Sequence, residues 1–160
     1  MSKVLVAYFS AGGVTADAAK KIAEVTGGTL YEIRPETAYT KADLNWMDPV
    51  ARSTVEMKDK SSRPKLAEGT APVAESDVLL LGFPIWWYTA PRIVNTFLER
   101  YDLAGKRIIL FATSGGSGFE GSLADLKGSV SASASMEEGI VVHGRQDSAA
   151  WKKWTDTLDL

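Results

Sequence analysis

The first hydrophobic run, Val4-Leu5-Val6-Ala7-Tyr8-Phe9, has no polar alternation, the pattern of a strand covered on both faces in the centre of a parallel sheet. From Val14 the spacing changes. Val14, Ala18, Ile22 and Val25 recur with helical period, and Gly27-Gly28 supply a helix C-terminus. Thr29 to Ile33 reads as a second strand, stopped at Arg34-Pro35. Residues 34–76 carry mixed charges and four prolines, and Asp48 before Pro49 predicts a helix near 49–60 within long connections. Asp77 to Phe83 is the most apolar strand, followed by a helical stripe at Ile93, Val94, Phe97, Leu98 and Tyr101. Arg107 to Ala112 makes a fourth strand and Leu123, Leu126 and Val130 a fourth helix. Gly139 to Val142 makes a fifth strand, and Trp151, Trp154 and Leu158 a closing helix. Five strands alternating with helices predict an α/β fold: a doubly wound five-stranded parallel sheet with right-handed crossovers, its ligand outside the carboxyl ends of the strands.

Composition narrows the chemistry. At 160 residues, 45% hydrophobic and 24% charged, the chain is expected to form a single domain over 1–160. Lys+Arg 18 against Asp+Glu 20 leaves a net charge of −2, without the basic excess that drives nucleic-acid binding. Cys 0 and one histidine, His143, exclude disulfides, thiolate nucleophiles and Cys/His zinc sites. The longest apolar run, Val78 to Tyr88, is broken by Gly82 and Pro84 and falls far short of the roughly 20 residues that span a bilayer. Met1-Ser2-Lys3 opens straight into a strand without a signal-peptide core, so a cytoplasmic protein with no membrane or nucleic-acid partner is expected.

Three loops at strand ends carry the candidate chemistry. Ser10-Ala11-Gly12-Gly13-Val14-Thr15 links the first strand to a helix. Its glycines let backbone N–H groups approach an anion, the helix N-terminus adds a favourable dipole, and Ser10 and Thr15 offer hydroxyls. The same residues also suit a Ser- or Thr-capped tight turn. After the third strand, Pro84-Ile85-Trp86-Trp87-Tyr88 places three consecutive aromatics in a loop, suited to a flat ligand but also to core packing or a protein interface. Thr113-Ser114-Gly115-Gly116-Ser117-Gly118-Phe119 follows the fourth strand and could line the rim of such a ligand. Together they describe a cleft for a molecule with a phosphate tail and a large planar head, of which FMN is the common one.

Other glycine-rich motifs do not fit. A P-loop needs Gly-Lys-Ser/Thr, whereas the first lysine after Gly13 is Lys20. The dinucleotide fingerprint lacks its third glycine, although Glu32 stands near the distance of a ribose-binding acid. Gly115-Gly116-Ser117-Gly118 approaches a hydrolase elbow but runs into Phe119, with His143 the sole candidate base. A receiver domain would need acidic residues where Phe9-Ser10 stand.

Across nearly its whole length the sequence resembles the flavodoxin family, most closely members with a Pro-Ile-Trp-Trp loop after the third strand and a Thr-x-Gly-Gly-Ser-Gly loop after the fourth. Here these are Pro84 to Trp87 and Thr113 to Gly118. The resemblance implies strand order 2-1-3-4-5, with the phosphate of FMN held by Ser10, Gly12, Gly13, Val14 and Thr15. It implies a ring enclosed by Pro84, Ile85, Trp86, Trp87 and Tyr88 on one side and Thr113, Ser114, Gly115, Gly116, Gly118 and Phe119 on the other. Two departures stand out. Gly12 and Val14 occupy positions where the family's phosphate loop usually has threonine and asparagine. Tyr88 occupies one where relatives commonly have glycine at a turn that rearranges when the flavin is reduced. Tyr88 is expected to resist φ > 0 at a cost of ~1–2 kcal/mol, equivalent to roughly 45–85 mV in a one-electron couple, and so to weaken stabilisation of the flavin radical.

Residues 77–123 balance Asp77, Glu99, Asp102 and Glu120 against Arg92, Arg100, Lys106 and Arg107, so no acidic collar is evident. The leading expectation is an FMN-binding electron-transfer protein, monomer or weak homodimer, working with a redox partner protein or small-molecule acceptor. An FMN-dependent NAD(P)H or quinone oxidoreductase of the same fold is the alternative, and a non-redox binding domain a third. Tyr39, Asn45 and Trp46 in the long insertion are further candidates for the site.

Overall fold

The computed structural model describes residues 3–160. In chain order the elements are β1 (Val4–Tyr8), α1 (Val14–Thr26), β2 (Thr29–Glu32), α2 (Arg52–Lys58) and β3 (Val78–Pro84). There follow α3 (Arg92–Arg100), β4 (Arg107–Thr113), α4 (Ser122–Lys127), β5 (Ser135–Val142) and α5 (Ser148–Asp156). The strands form one parallel sheet in the order β2-β1-β3-β4-β5, as expected.

The unbroken apolar runs have their physical cause in this sheet, because both of its faces are covered. Leu5, Ala7, Leu79, Leu81, Phe83, Ile108, Leu110 and Ala112 point to one side, into a core completed by Ile93, Val94, Phe97 and Leu98 of α3 and Leu126 of α4. Val6, Tyr8, Val78, Leu80, Ile109 and Phe111 point to the other, against Ala18, Ala19 and Ile22 of α1 and Trp151 of α5. Successive side chains alternate between two apolar layers, and the sequence loses its polar alternation.

Strand β5 begins at Ser135, four residues before the expected start at Gly139. In its first half, on the sheet edge, Ser135, Glu137 and Glu138 are exposed around the buried Met136, and Glu137 pairs with Arg107 at 2.8 Å. Gly139 sits inside the strand at a bulge, where the register with β4 shifts between Leu110 and Phe111. The glycine is obligatory there, since a Cβ would overlap the Leu110 carbonyl and the Trp154 ring.

The 34–76 insertion holds α2 and a short antiparallel pairing, in which Glu36 N–H donates to Lys65 O at 2.8 Å and Ala67 N–H to Arg34 O at 2.8 Å. Arg92, buried at the start of α3, ties α2 to the body by donating to Met57 O at 2.8 Å. No helix among the described residues is long and apolar enough to cross a membrane.

Candidate functional site: a cleft at the carboxyl ends of the strands

Strand order reverses between β1 and β3, so the loops leaving these strands diverge to opposite faces and open a crevice between them. The loop after β1 forms its tail end. Ser10 Oγ turns inward and accepts from the N–H groups of Gly13 and Ala16, each at 3.1 Å. Gly13 takes φ +92°, which glycine reaches without strain, and starts α1. With Gly13 and Ala16 satisfied internally, the N–H groups of Gly12, Val14 and Thr15 make no hydrogen bond among the described residues. A Cβ at Gly12 would meet nothing within 4 Å, so the backbone itself faces open space. This donor set suits a phosphate.

The hydroxyls divide between the two readings of the loop. Ser10 caps the tight turn, its Oγ accepting from Gly13 and Ala16. Thr15 and Thr113 are both buried and share a hydrogen bond of 2.7 Å across the crevice floor, so a single proton joins them and the other O–H is left to turn toward a ligand. Ala11, Gly12, Val14, Thr15, Pro84, Ile85, Trp86, Thr113, Ser114, Gly115 and Gly144 line this part, of about 370 Å³.

Ile85, Trp86, Ser114 and Gly115 also line a second, wider cleft of about 750 Å³, shared with Trp46, Trp87, Tyr88, Gly116, Ser117 and Glu120. Shared walls make the two one continuous trough. Gly115 and Gly116 each have nothing within 4 Å of a would-be Cβ, and their loop is held by Ser114 N–H to Val142 O at 3.0 Å and Gly116 N–H to Ser114 Oγ at 3.1 Å. His143 Nδ1 lies 3.0 Å from Ser114 O and joins the loops after β4 and β5, a structural role for the one histidine.

The three aromatics have different duties. Trp86 is wedged edge-on against Phe9 at 5.6 Å and Tyr39 at 5.5 Å between ring centroids, so it belongs partly to the core. Tyr39 lies beneath it, with the Arg52 guanidinium 3.9 Å over its ring and its hydroxyl bonded to Glu56. Burial and the Glu56 carboxylate hold that hydroxyl well above the ordinary tyrosine range. Trp87 and Tyr88 are 41% and 65% exposed on the cleft rim, opposite Trp46 at 70%.

The expectation that Tyr88 resists a left-handed turn does not hold. Trp87 and Tyr88 take φ +48° and +66°, the signs a type I′ turn requires at both central positions. Trp86 N–H donates to Thr89 O at 2.9 Å and Thr89 N–H returns to Trp86 O at 3.1 Å. Gly121 N–H reaches Tyr88 O at 3.1 Å, and Thr89 Oγ1 bonds Asp125 Oδ2 at 2.7 Å. Asp125 is in turn 3.7 Å from the buried Arg92. The cost of the left-handed pair is therefore borne by folding, and the argument for a poorly stabilised flavin radical loses its basis.

Of the remaining sequence candidates, Phe119 faces the core against Phe83, with ring centroids 6.5 Å apart, and Gly118 lies outside the cleft lining. Asn45 caps its own turn, its Oδ1 accepting from Met47 N–H at 3.2 Å. Ala11 and Ser117, within the loops the sequence marked, are also in the lining, and the structure adds Glu120 and Gly144. Gly144 could have been found by noting that the loop after β5 leaves the same sheet edge.

A family model described as flavodoxin matches residues 3–158. The chain belongs to the flavodoxin family. A Bacteroides uniformis protein described as a flavoprotein superposes with TM-score 0.90 at 46% identity, covering 97% of this chain and 98% of that one. A Bacteroides eggerthii counterpart gives 0.91 at 44%, covering 100% and 99%. A Lactobacillus acidophilus flavoprotein, whose structure is a complex with FMN, shares the fold with TM-score 0.69 at 18% identity, covering 97% and 99%. Among curated proteins, NAD(P)H dehydrogenase [quinone] 1 of Cavia porcellus is 24% identical over 143 residues, 84% of this chain. This flavodoxin-family chain spans about half, 52%, of that relative's length.

Proposed function

We propose that this protein binds FMN and serves as a flavodoxin-type electron carrier. One observation carries the reading: an unbroken trough runs from backbone N–H groups at Gly12, Val14 and Thr15, unpaired among the described residues, to an aromatic end with Trp86 on its floor and Trp87 and Tyr88 on its rim. The first end suits a phosphate and the second a large planar ring. FMN would supply one- and two-electron redox chemistry. The chain's residues bind and orient it: Thr15 and Thr113 face the tail, Ile85 and Trp86 form the floor, and Ser114 to Gly116 offer backbone along one edge. Glu120 is the single carboxylate among the described residues of the ring cleft. The exposed rim leaves an edge accessible to a redox partner protein or small-molecule acceptor. A cytoplasmic location and a monomer or weak homodimer accord with this reading.

A second reading, an FMN-dependent NAD(P)H or quinone oxidoreductase, is favoured by the position of Trp46. Its exposed side chain lines the same wide cleft as Trp87 and Tyr88 and would give a flat substrate an apolar bed beside the ring. The likeness to a quinone dehydrogenase points the same way. Anaerobic reductive titration of the FMN-loaded protein separates the two. Reduction in two resolved one-electron stages supports the carrier; direct passage to the fully reduced spectrum, with steady turnover of NAD(P)H and a quinone, overturns it in favour of the reductase. Failure of the purified protein to bind FMN at all removes both.

A further inference from the structure

The loop after β1 contains no lysine or arginine, and its free donors are backbone N–H groups alone. A doubly charged phosphate seated there is held more tightly by a counter-charge, and the fold brings one from the far end of the chain. We infer that Arg145, in the loop between β5 and α5, closes over the phosphate subsite and sets the preference for a phosphorylated flavin. This rests on the FMN reading above.

Arg145 Nη2 lies 3.9 Å from the position a Cβ at Gly13 would take, directly beside the start of α1. Its neighbour Gly144, at φ +93°, lines the tail end of the trough beside Gly12. Among the described residues the guanidinium makes no hydrogen bond. It has one ionic neighbour there, Asp17, with Nη1 to Oδ1 at 3.6 Å, too long for a hydrogen bond, and the side chain is 58% exposed. Asp17 would repel an anion if left alone, but Lys21 pairs with it at 3.0 Å. The same Lys21 Nζ donates to Gln146 O at 2.8 Å and so pins the loop that carries Arg145 against α1. Asp147, next in the chain, caps α5 by accepting from Ala150 N–H at 2.8 Å, and on the other side of Arg145 the Val142 carbonyl accepts from Ser114 N–H at 3.0 Å. A loop fixed at both ends presents a guanidinium with spare donors, the group best matched to phosphate oxygens.

The test is titration of apoprotein with FMN and with riboflavin, followed by flavin fluorescence, for the wild type, R145Q and R145K at low and moderate salt. R145Q is expected to weaken FMN binding about tenfold, the scale of one charge-assisted hydrogen bond reduced for solvent exposure, and to leave riboflavin binding unchanged. R145K should fall between, and the salt dependence of FMN binding should be shallower in R145Q than in the wild type. FMN affinity within twofold of wild type in R145Q, or an equal loss for riboflavin, would overturn the assignment. Equal affinity of the wild type for both flavins overturns it too while leaving a flavin site in place, whereas a wild type that binds neither refutes the FMN reading itself.

Discussion

Trp87 and Tyr88 hold backbone conformations that cost an L-residue ~1–2 kcal/mol each, in the loop that forms the rim of the cleft. Tyr88 is 65% exposed, so removing its side chain sacrifices little packing. Tyr88→Gly should therefore raise stability by about 0.5–1 kcal/mol, the relief of strain less the backbone entropy of glycine, measured as a higher urea midpoint at unchanged m-value. A loss of stability would mean that the ring packs more tightly than its exposure indicates. Residue types announced the site at this scale, since consecutive aromatics, adjacent glycines and hydroxyls all stood at strand ends. Their directions were hidden. Side chains in a loop follow no period, so nothing in Trp86-Trp87-Tyr88 could say that Trp86 would lodge against Phe9 and Tyr39 while its two neighbours stayed outside.

Strand β5 shows where reading by element succeeds and fails. Central strands were legible because burial on both faces leaves their interiors without polar residues. The edge strand was truncated at Gly139, because its polar first half has no hydrophobic pattern to detect and glycine normally ends an element. In the sheet Gly139 is the bulge that keeps β5 paired with β4, and Gly82 of β3 makes room for the Phe111 ring. Gly139→Ala and Gly82→Ala should each destabilise by about 2–4 kcal/mol, read from denaturant melts, because the obstructing atoms are backbone in one case and a fully buried ring in the other.

Helix α3 carries an effect of pH. Arg63 Nε donates to Glu99 at 3.0 Å and Ser129 Oγ donates to it at 2.7 Å, and together they hold the Glu99 carboxyl below its ordinary value of 4.5 despite some desolvation. A carboxylate favoured in the folded state contributes stability above the unfolded value, and that contribution is lost as pH falls through the lower, folded one. Glu99→Gln should flatten the acid side of the stability profile below about pH 4.5. With the side chain 41% exposed the change should stay within about 0.5 kcal/mol, visible by comparing urea midpoints at pH 7 and in acid.

At the scale of the whole molecule the cleft is assembled from loops after β1, β3, β4 and β5, with one wall lent by the 34–76 insertion through Trp46. A ligand that bridges these loops binds the folded state alone. FMN at a hundred times its dissociation constant should therefore stabilise the protein by about 2.7 kcal/mol, seen as a rise in unfolding midpoint, and riboflavin at the same concentration should give less. Equal shifts would place the binding energy in the ring and remove the phosphate loop from the site.

Parallel strands, their alternation with helices and the three candidate loops followed from local pattern, because burial on two faces and turn chemistry leave their mark on adjacent residues. Arg145 over Gly13, Gly144 in the trough and the clamp from Gly121 and Asp125 onto the Trp87-Tyr88 turn left no such mark. These contacts join residues far apart in the chain, and parallel topology alone brings them to one end of the sheet. Which groups face a ligand there is a matter of packing between loops, and packing is settled only when the chain has folded.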